Sequence, residues 1–377
     1  MIYLDYAAAT PVDKEVLLRY VEVTTKYFAN PNANHKLGQD AAKLISESTK
    51  KIASYLGVEP EEIIYTSGAS ESNNLAIKGI SERYKNFGRH ILISSLEHNS
   101  VVSSATRLQE QGFEVEVVPV NQEGLIDLNS LKSLLREDTI LVSICTVDSE
   151  IGLKQPIEEI GEILKNYPHC HFHTDATQAI GKIPVHLENV DLLTFAPHKF
   201  YGLTGIGGLI KKKNISLRPQ MDGGKSTTIY RAGTPDAASI SALEKALSLS
   251  LEALEKRYKI VSSHYEKVKN TLLTYPKVTI NNTKNSIPYT LNFSISGVKA
   301  TWIQEKLESS GIYVSTKTSC CPIMTPSKLV YALTKDKNKA LSSIRLSFSH
   351  LTTSEEIDTF ILVFAKIYKE AEENGKI

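Results

Sequence analysis

Cysteine is scarce in this chain: four in 377 residues, at positions 145, 170, 320 and 321. Their spacing matches no zinc-ligand pattern, and the adjacent pair Cys320-Cys321 cannot readily bridge itself without strain, so no structural metal is expected. An excess of charge is missing too. Lysine plus arginine (43) offsets aspartate plus glutamate (42), which removes the electrostatic case for direct nucleic-acid binding and makes Lys211-Lys212-Lys213 read as a solvated turn. No apolar run suits a membrane span, and Met1-Ile2-Tyr3-Leu4-Asp5 has neither the basic nor the apolar region of a signal peptide; a cytoplasmic protein is expected. Internal repeats and low-complexity tracts are also lacking.

What is present is length enough for a substantial core and, as a prior, about two domains. Short apolar runs at 63–66, 90–94, 114–118, 139–145, 170–174, 190–195 and 207–211 alternate with amphipathic stretches such as 99–111 and 128–135. That alternation predicts an α/β fold, a mostly parallel seven-stranded sheet sandwiched by helices. After Pro235 the pattern becomes one long helical stretch, 237–275, followed by strand-like runs at 278–280, 290–294, 313–315 and 344–347 and a helix near 301–309. These form a smaller α+β unit. Thr353 and Glu356 make a capping pair for a last helix, apolar at Ile357, Phe360, Ile361 and Phe364. The expected division is a large domain over 13–250 and a small one built from 1–12 and 251–377.

The chemistry concentrates between His171 and Gly208. The run Val190-Asp191-Leu192-Leu193-Thr194-Phe195-Ala196 ends in His198-Lys199, and a lysine amine in an apolar pocket loses its proton more easily. Lys199 is therefore a candidate for a Schiff base, although a lysine after a strand is more often solvated. Asp175, in Phe172-His173-Thr174-Asp175-Ala176-Thr177-Gln178, sits in an apolar stretch where an unpaired carboxylate is costly. It would suit the pyridinium nitrogen of pyridoxal phosphate. Thr66-Ser67-Gly68-Ala69-Ser70 places a small-residue turn between strand and helix, where free amides and the Ser70 hydroxyl favour a phosphate, or make an ordinary cap. His98 follows another strand and falls at the same carboxyl edge of the sheet, where open α/β folds bind ligands. Cys145 and Cys170 read as small core residues; Cys320 and Cys321 stand in a polar stretch and read as exposed.

Together these residues amount to a resemblance. Leu4-Asp5-Tyr6-Ala7-Ala8-Ala9-Thr10-Pro11, Thr66-Ser67-Gly68-Ala69-Ser70-Glu71-Ser72-Asn73-Asn74, Glu97-His98, Asp175-Ala176-Thr177-Gln178, His198-Lys199 and Arg231-Ala232-Gly233-Thr234-Pro235 resemble the NifS/IscS-like cysteine desulfurase family. Those are class V aminotransferase relatives within the fold-type I pyridoxal-phosphate enzymes, and the likeness runs over essentially the whole chain. It implies that Lys199 joins the cofactor aldehyde, Asp175 pairs with the ring nitrogen, Gln178 meets the ring hydroxyl and His98 stacks on the ring. Ala69, Ser70 and His198 would hold the phosphate, with Thr234 contributed from the second subunit of a homodimer. Arg345 falls where the family holds the substrate carboxylate, with Asn30 a second candidate. Cys320 matches the cysteine that takes the sulfur of L-cysteine as a persulfide, and nearby Lys317 would favour its thiolate. The resemblance also implies a sulfur-acceptor protein, an iron-sulfur scaffold or a tRNA-thiolating enzyme.

The chain departs from the family at three places. Ser149 in Val147-Asp148-Ser149-Glu150 stands for an amide near the ring hydroxyl, Ala196 replaces a phosphate-binding serine, and Ser349-His350-Leu351 replaces Gly-Arg-Phe. A selenocysteine lyase, a class V aminotransferase or an inactive sulfur-transfer scaffold are the competing readings. An exposed Cys320 speaks against the aminotransferase, and the survival of Lys199, Asp175, Gln178, His98, Arg345 and Cys320 speaks against the scaffold.

Overall fold

The computed structural model describes residues 1–224, 226–317 and 325–377. Among them run the strands β1 (Ile2–Tyr3), β2 (Ile63–Thr66), β3 (His90–Ser94), β4 (Glu114–Val118), β5 (Thr139–Ser143) and β6 (His171–Asp175). They continue with β7 (Leu192–Phe195), β8 (Gly207–Lys211), β9 (Val278–Ile280), β10 (Thr290–Ile295), β11 (Ile312–Tyr313) and β12 (Ser343–Ser347). Seven of them form one sheet in the order β2-β8-β7-β6-β5-β3-β4. Every residue of β3, β5, β6 and β7 is buried, because helices cover both faces and leave no solvent side for polar alternation. β4 is one of the two edge strands, and its exposed Glu114 and Val117 mark the open side.

The sheet is parallel except at β8, which runs antiparallel to both β2 and β7. From β3 the chain steps outward to β4, and from β5 it steps the other way to β6 and β7. Such a reversal of strand order opens a crevice at the carboxyl ends of the strands. His98, Asp175 and Lys199 all follow strand ends on that side.

The stretch read as one helix is two, Ala237–Glu252 and Leu254–Leu272, separated at Ala253 (φ −97°, ψ 5°). No glycine or proline marks the break, so apolar periodicity passes through it unseen. The second helix carries Arg257, which reaches back to Ser250 Oγ (3.0 Å) and lies over the Tyr201 ring. Lys211 also differs from its reading as solvated. It is buried, its Nζ donates to Ile215 O at 2.7 Å and Lys212 O at 3.0 Å, and it lies 5.0 Å from the Tyr230 ring centroid. Lys212 is half-buried, and of the three lysines only Lys213 is exposed.

The remaining strands make a three-stranded antiparallel sheet, β12-β10-β9, and a two-stranded parallel one, β1-β11. The N-terminal segment is stitched to β12 through the Asp5–Ser347 bridge. The last helix, Ser354–Glu373, opens on a capping box formed by Thr353 and Glu356. It buries Ile357, Phe360 and Phe364. Among the described residues no helix is long and apolar enough to cross a membrane.

Candidate active site

A cavity of about 450 Å³ opens at the carboxyl edge of the large sheet. Its walls bring together Ala69, Ser70, His98, Ser149, Asp175, Gln178, His198, Lys199 and Arg345, nine residues singled out in the sequence. Asn30 and Thr234 are exposed and are not among its lining residues. Cys320 and Cys321 lie outside the described residues.

Lys199 closes the short 3₁₀ turn Pro197–Lys199 that follows β7. Its Nζ donates to Ala7 O at 2.8 Å and Ala8 O at 2.6 Å, so the N-terminal segment aims the amine. Tyr201, two residues on, holds φ 68°, a left-handed conformation unusual for a bulky side chain. Its hydroxyl shares a 2.6 Å hydrogen bond with Ser349 Oγ, and His350 Nδ1 lies 3.1 Å away. The departures at 349 and 350 thus form a network that braces the lysine turn from behind.

Asp175 ends β6. Its Oδ2 accepts from Asn73 Nδ2 at 2.7 Å and its Oδ1 from Thr177 N at 3.0 Å, which keeps the carboxylate facing the cavity in one orientation. His98 caps the helix Asn99–Gln109, its Nδ1 accepting from Ser100 N. Burial pushes the His98 pKa down against the pull of Asp175, which favours the neutral ring. Burial, then the charges of Lys199 and Lys182, push His198 down to about 4.

Gly68 sits at φ 154° just before the helix Ala69–Tyr84, a backbone state suited to glycine. A Cβ on Gly207 would come within 2.6 Å of Gly68 Cα, so β8 approaches this turn as closely as glycine allows. The helix N-terminus therefore reaches the cavity with its first-turn amides available to an anion. At the opposite wall Arg345 is pinned by Asp5 Oδ1 (2.6 Å) and Ser149 O (2.8 Å).

Asp148 organises the turn that carries the departure at Ser149. Its Oδ1 accepts from the backbone N–H groups of Glu150 and Ile151 (both 2.8 Å) and its Oδ2 from Leu153 N (2.6 Å), shaping the turn that offers Ser149. Ala196 is fully buried and lends no polar group. Lys317, expected to favour a thiolate at 320, has its Nζ donating to both Thr325 O and Thr325 Oγ1 at 2.7 Å.

Sequence reasoning gave no role to three residues of the site. Asn73 lies in a quoted motif, one helical turn beyond Ser70, and that spacing was the available signal. Lys182 sits in the apolar run Ala179-Ile180-Gly181-Lys182-Ile183, the same kind of context that drew attention to Lys199. Glu97 is buried, accepts from Ser94 Oγ (2.6 Å) and Cys145 N (2.7 Å), and is pushed up to about 8 by burial.

The donor set suits pyridoxal phosphate. A lysine amine, an oriented carboxylate, a neutral imidazole and a helix N-terminus supply partners for the aldehyde, ring nitrogen, ring face and phosphate, respectively. The buried Thr177 Oγ1 and Asn73 Oδ1 also lack hydrogen-bond partners among the described residues, as polar atoms beside a ligand site would.

The fold is that of the fold-type I transferases. The aminotransferase class-V family model matches residues 2–360. A "NifS/IcsS protein homolog" from Lactobacillus delbrueckii subsp. bulgaricus is 41% identical, covering 98% of this chain and 97% of its own length. "Cysteine desulfurase IscS" of Dictyoglomus turgidum is 36% identical over 98% of this chain and 95% of its own. A solved NifS-like protein superposes with a TM-score of 0.91 at 32% identity, covering 98% of this chain and 99% of the other. The chain belongs to the aminotransferase class-V family, among its NifS/IscS-like members, a family that uses pyridoxal phosphate.

Proposed function

We propose that the protein is a cysteine desulfurase that converts L-cysteine to L-alanine and keeps the sulfur as a persulfide on Cys320. The observation that carries this reading is the meeting of Lys199, Asp175 and His98 in one cavity whose far wall is the pinned Arg345. L-Cysteine plus the Cys320 thiol give L-alanine plus the Cys320 persulfide, a balance that needs no outside oxidant.

The chemistry pyridoxal phosphate supplies when bound is an electron sink for the bonds at the amino acid's Cα. Lys199 holds its aldehyde and, once released, moves the Cα proton. Asp175, fixed by Asn73 and Thr177, holds a proton on the ring nitrogen. Gln178 and Ser149 bind at the ring hydroxyl, and Ala69, Ser70 and His198 bind the phosphate, joined by Thr234 of the partner subunit in a homodimer. Arg345, aided by Asn30, orients the substrate carboxylate and so selects an α-amino acid.

The protein acts in the cytoplasm, where free thiols persist, and passes sulfur to an iron-sulfur scaffold or a tRNA-thiolating enzyme. Purified protein given cysteine, cofactor and a reductant should release alanine and sulfide in equal amounts. Borohydride should trap the cofactor on Lys199. Trapping on another lysine, or binding without turnover, would overturn the reading.

A further inference from the structure

Lys182 is a buried cation beneath the cavity floor, outside the roles assigned above. Its Nζ donates to Gln178 Oε1 at 2.6 Å and lies 5.9 Å from the Tyr289 ring centroid. Gln178 in turn donates through Nε2 to Ala7 O at 2.9 Å, the same carbonyl that accepts from Lys199 at 2.8 Å. Lys182, Gln178, Ala7 and Lys199 therefore form one continuous chain of contacts. The Ala7 carbonyl can only accept and Lys182, as an ammonium, can only donate, so the two together hold the Gln178 amide with its oxygen toward Lys182 and its NH₂ toward Ala7.

The surroundings of Lys182 are cationic. Lys199 from the turn after β7 and Arg345 from β12 supply that charge, while the His198 imidazole of the same turn, down at about 4, is neutral. A small cavity of about 10 Å³, room for one water, separates it from Arg257 of the helix Leu254–Leu272 and from Tyr6, Tyr201 and Tyr289. The buried Tyr289 hydroxyl has no hydrogen-bond partner among the described residues. A lysine kept in such a place without an ion-pair partner among the described residues costs stability, so a purely structural role would be served better by methionine.

We propose that Lys182 is a positioning residue for the reaction at Lys199: it fixes the facing of the Gln178 amide and sets a like charge directly behind the reactive amine. This rests on Lys199 being that amine. Burial, then the charges of Lys199 and Arg345, bring Lys182 down to about 7, so its own charge turns over near neutral pH.

The test is competitive acetylation of the full-length chain freed of cofactor, with acetic anhydride as the probe and mass spectrometry reading Lys199. In Lys182→Met the Lys199 ammonium is relieved of its neighbour, and its acetylation at neutral pH should fall about three-fold or more. Lys182→Arg keeps the charge and should label at the wild-type rate or faster. Equal labelling of Lys182→Met and wild type overturns the proposal, as does an equal fall in both variants, the mark of a merely structural role. If Lys182→Met does not fold, Lys182→Gln is read by the same criterion. Borohydride trapping on wild-type Lys199 is run alongside; its failure sinks the functional reading, whereas its success with unchanged labelling sinks only the role of Lys182.

Discussion

Asp5 Oδ1 and Arg345 Nη2 are 2.6 Å apart, with the arginine side chain only 2% exposed. The pair joins the segment after β1 to β12, and Arg345 Nη1 donates to Ser149 O at 2.8 Å. Two acceptors thus fix the guanidinium plane, while its buried Nε has no hydrogen-bond partner among the described residues. The fork is oriented before any substrate arrives.

That orientation should be visible in kinetics. Asp5→Asn keeps the shape and removes the charge, so KM for cysteine should rise about ten-fold with a smaller change in kcat. Arg345→Lys loses the planar fork and should lower kcat/KM about a hundred-fold, roughly 2.7 kcal/mol. Thermal melts of both variants separate this from simple loss of the buried pair. Steady-state assays with unchanged KM in both would mean that the carboxylate binds elsewhere.

Gly207→Ala tests the anion end of the cavity. The new Cβ would meet the Gly68 backbone at 2.6 Å, and neither main chain can yield cheaply because β8 is paired on both sides. The turn ahead of Ala69 and Ser70 must shift. Cofactor affinity, followed by titration of the visible absorption band, should weaken at least about ten-fold, about 1.4 kcal/mol. Wild-type affinity in a folded variant would show that the helix N-terminus does not hold the phosphate.

Much of this site was legible because its residues sit at strand ends, where a short apolar run stops and a polar or small residue begins. Lys199 after Phe195, Asp175 closing β6 and His98 after β3 all follow that rule, and the apolar runs placed the seven strands of the large sheet. The break at Ala253 was not legible, since neither composition nor periodicity changes there. Nor was the direction of β8: the run Gly207–Lys211 reads alike in parallel and antiparallel pairings. The burial of Lys211 escaped because three consecutive lysines look solvated, and only the fold shows Ile215 O and Tyr230 waiting for the first of them. Long-range partners such as Asp5 for Arg345 leave no trace in local pattern.

Acid should destabilise the fold over a defined window. Burial is the main force bringing His171, His173, His198 and His350 down to about 4 from an ordinary value of 6.5. Between those values the unfolded chain binds more protons, so the contribution of these histidines is full above 6.5 and is lost as pH falls through 4. Two buried acids act in the opposite sense, Glu97 raised to about 8 and Asp148 to about 6, because each favours the folded state when protonated. Four groups against two leave a net loss on acidification. Melting temperature measured against pH should fall steadily below 6.5; a flat profile down to 4 would contradict the neutral, buried imidazoles.

Burial disfavours both described thiols, Cys145 and Cys170, as nucleophiles. Cys145 lines the cavity, but burial, then the charges of Glu97 and Asp148, push its pKa well up. Burial raises Cys170 likewise, beneath the sheet and away from the cavity lining. A thiol held protonated is a poor nucleophile. Cys320→Ser should therefore abolish the persulfide, read by mass spectrometry after one turnover with cysteine, while the bound-cofactor absorption stays intact. Cys145→Ala and Cys321→Ser should each keep most of the activity, within about three-fold of wild type. Full turnover in Cys320→Ser, or loss of the persulfide only in Cys145→Ala, would move the sulfur to the cavity wall.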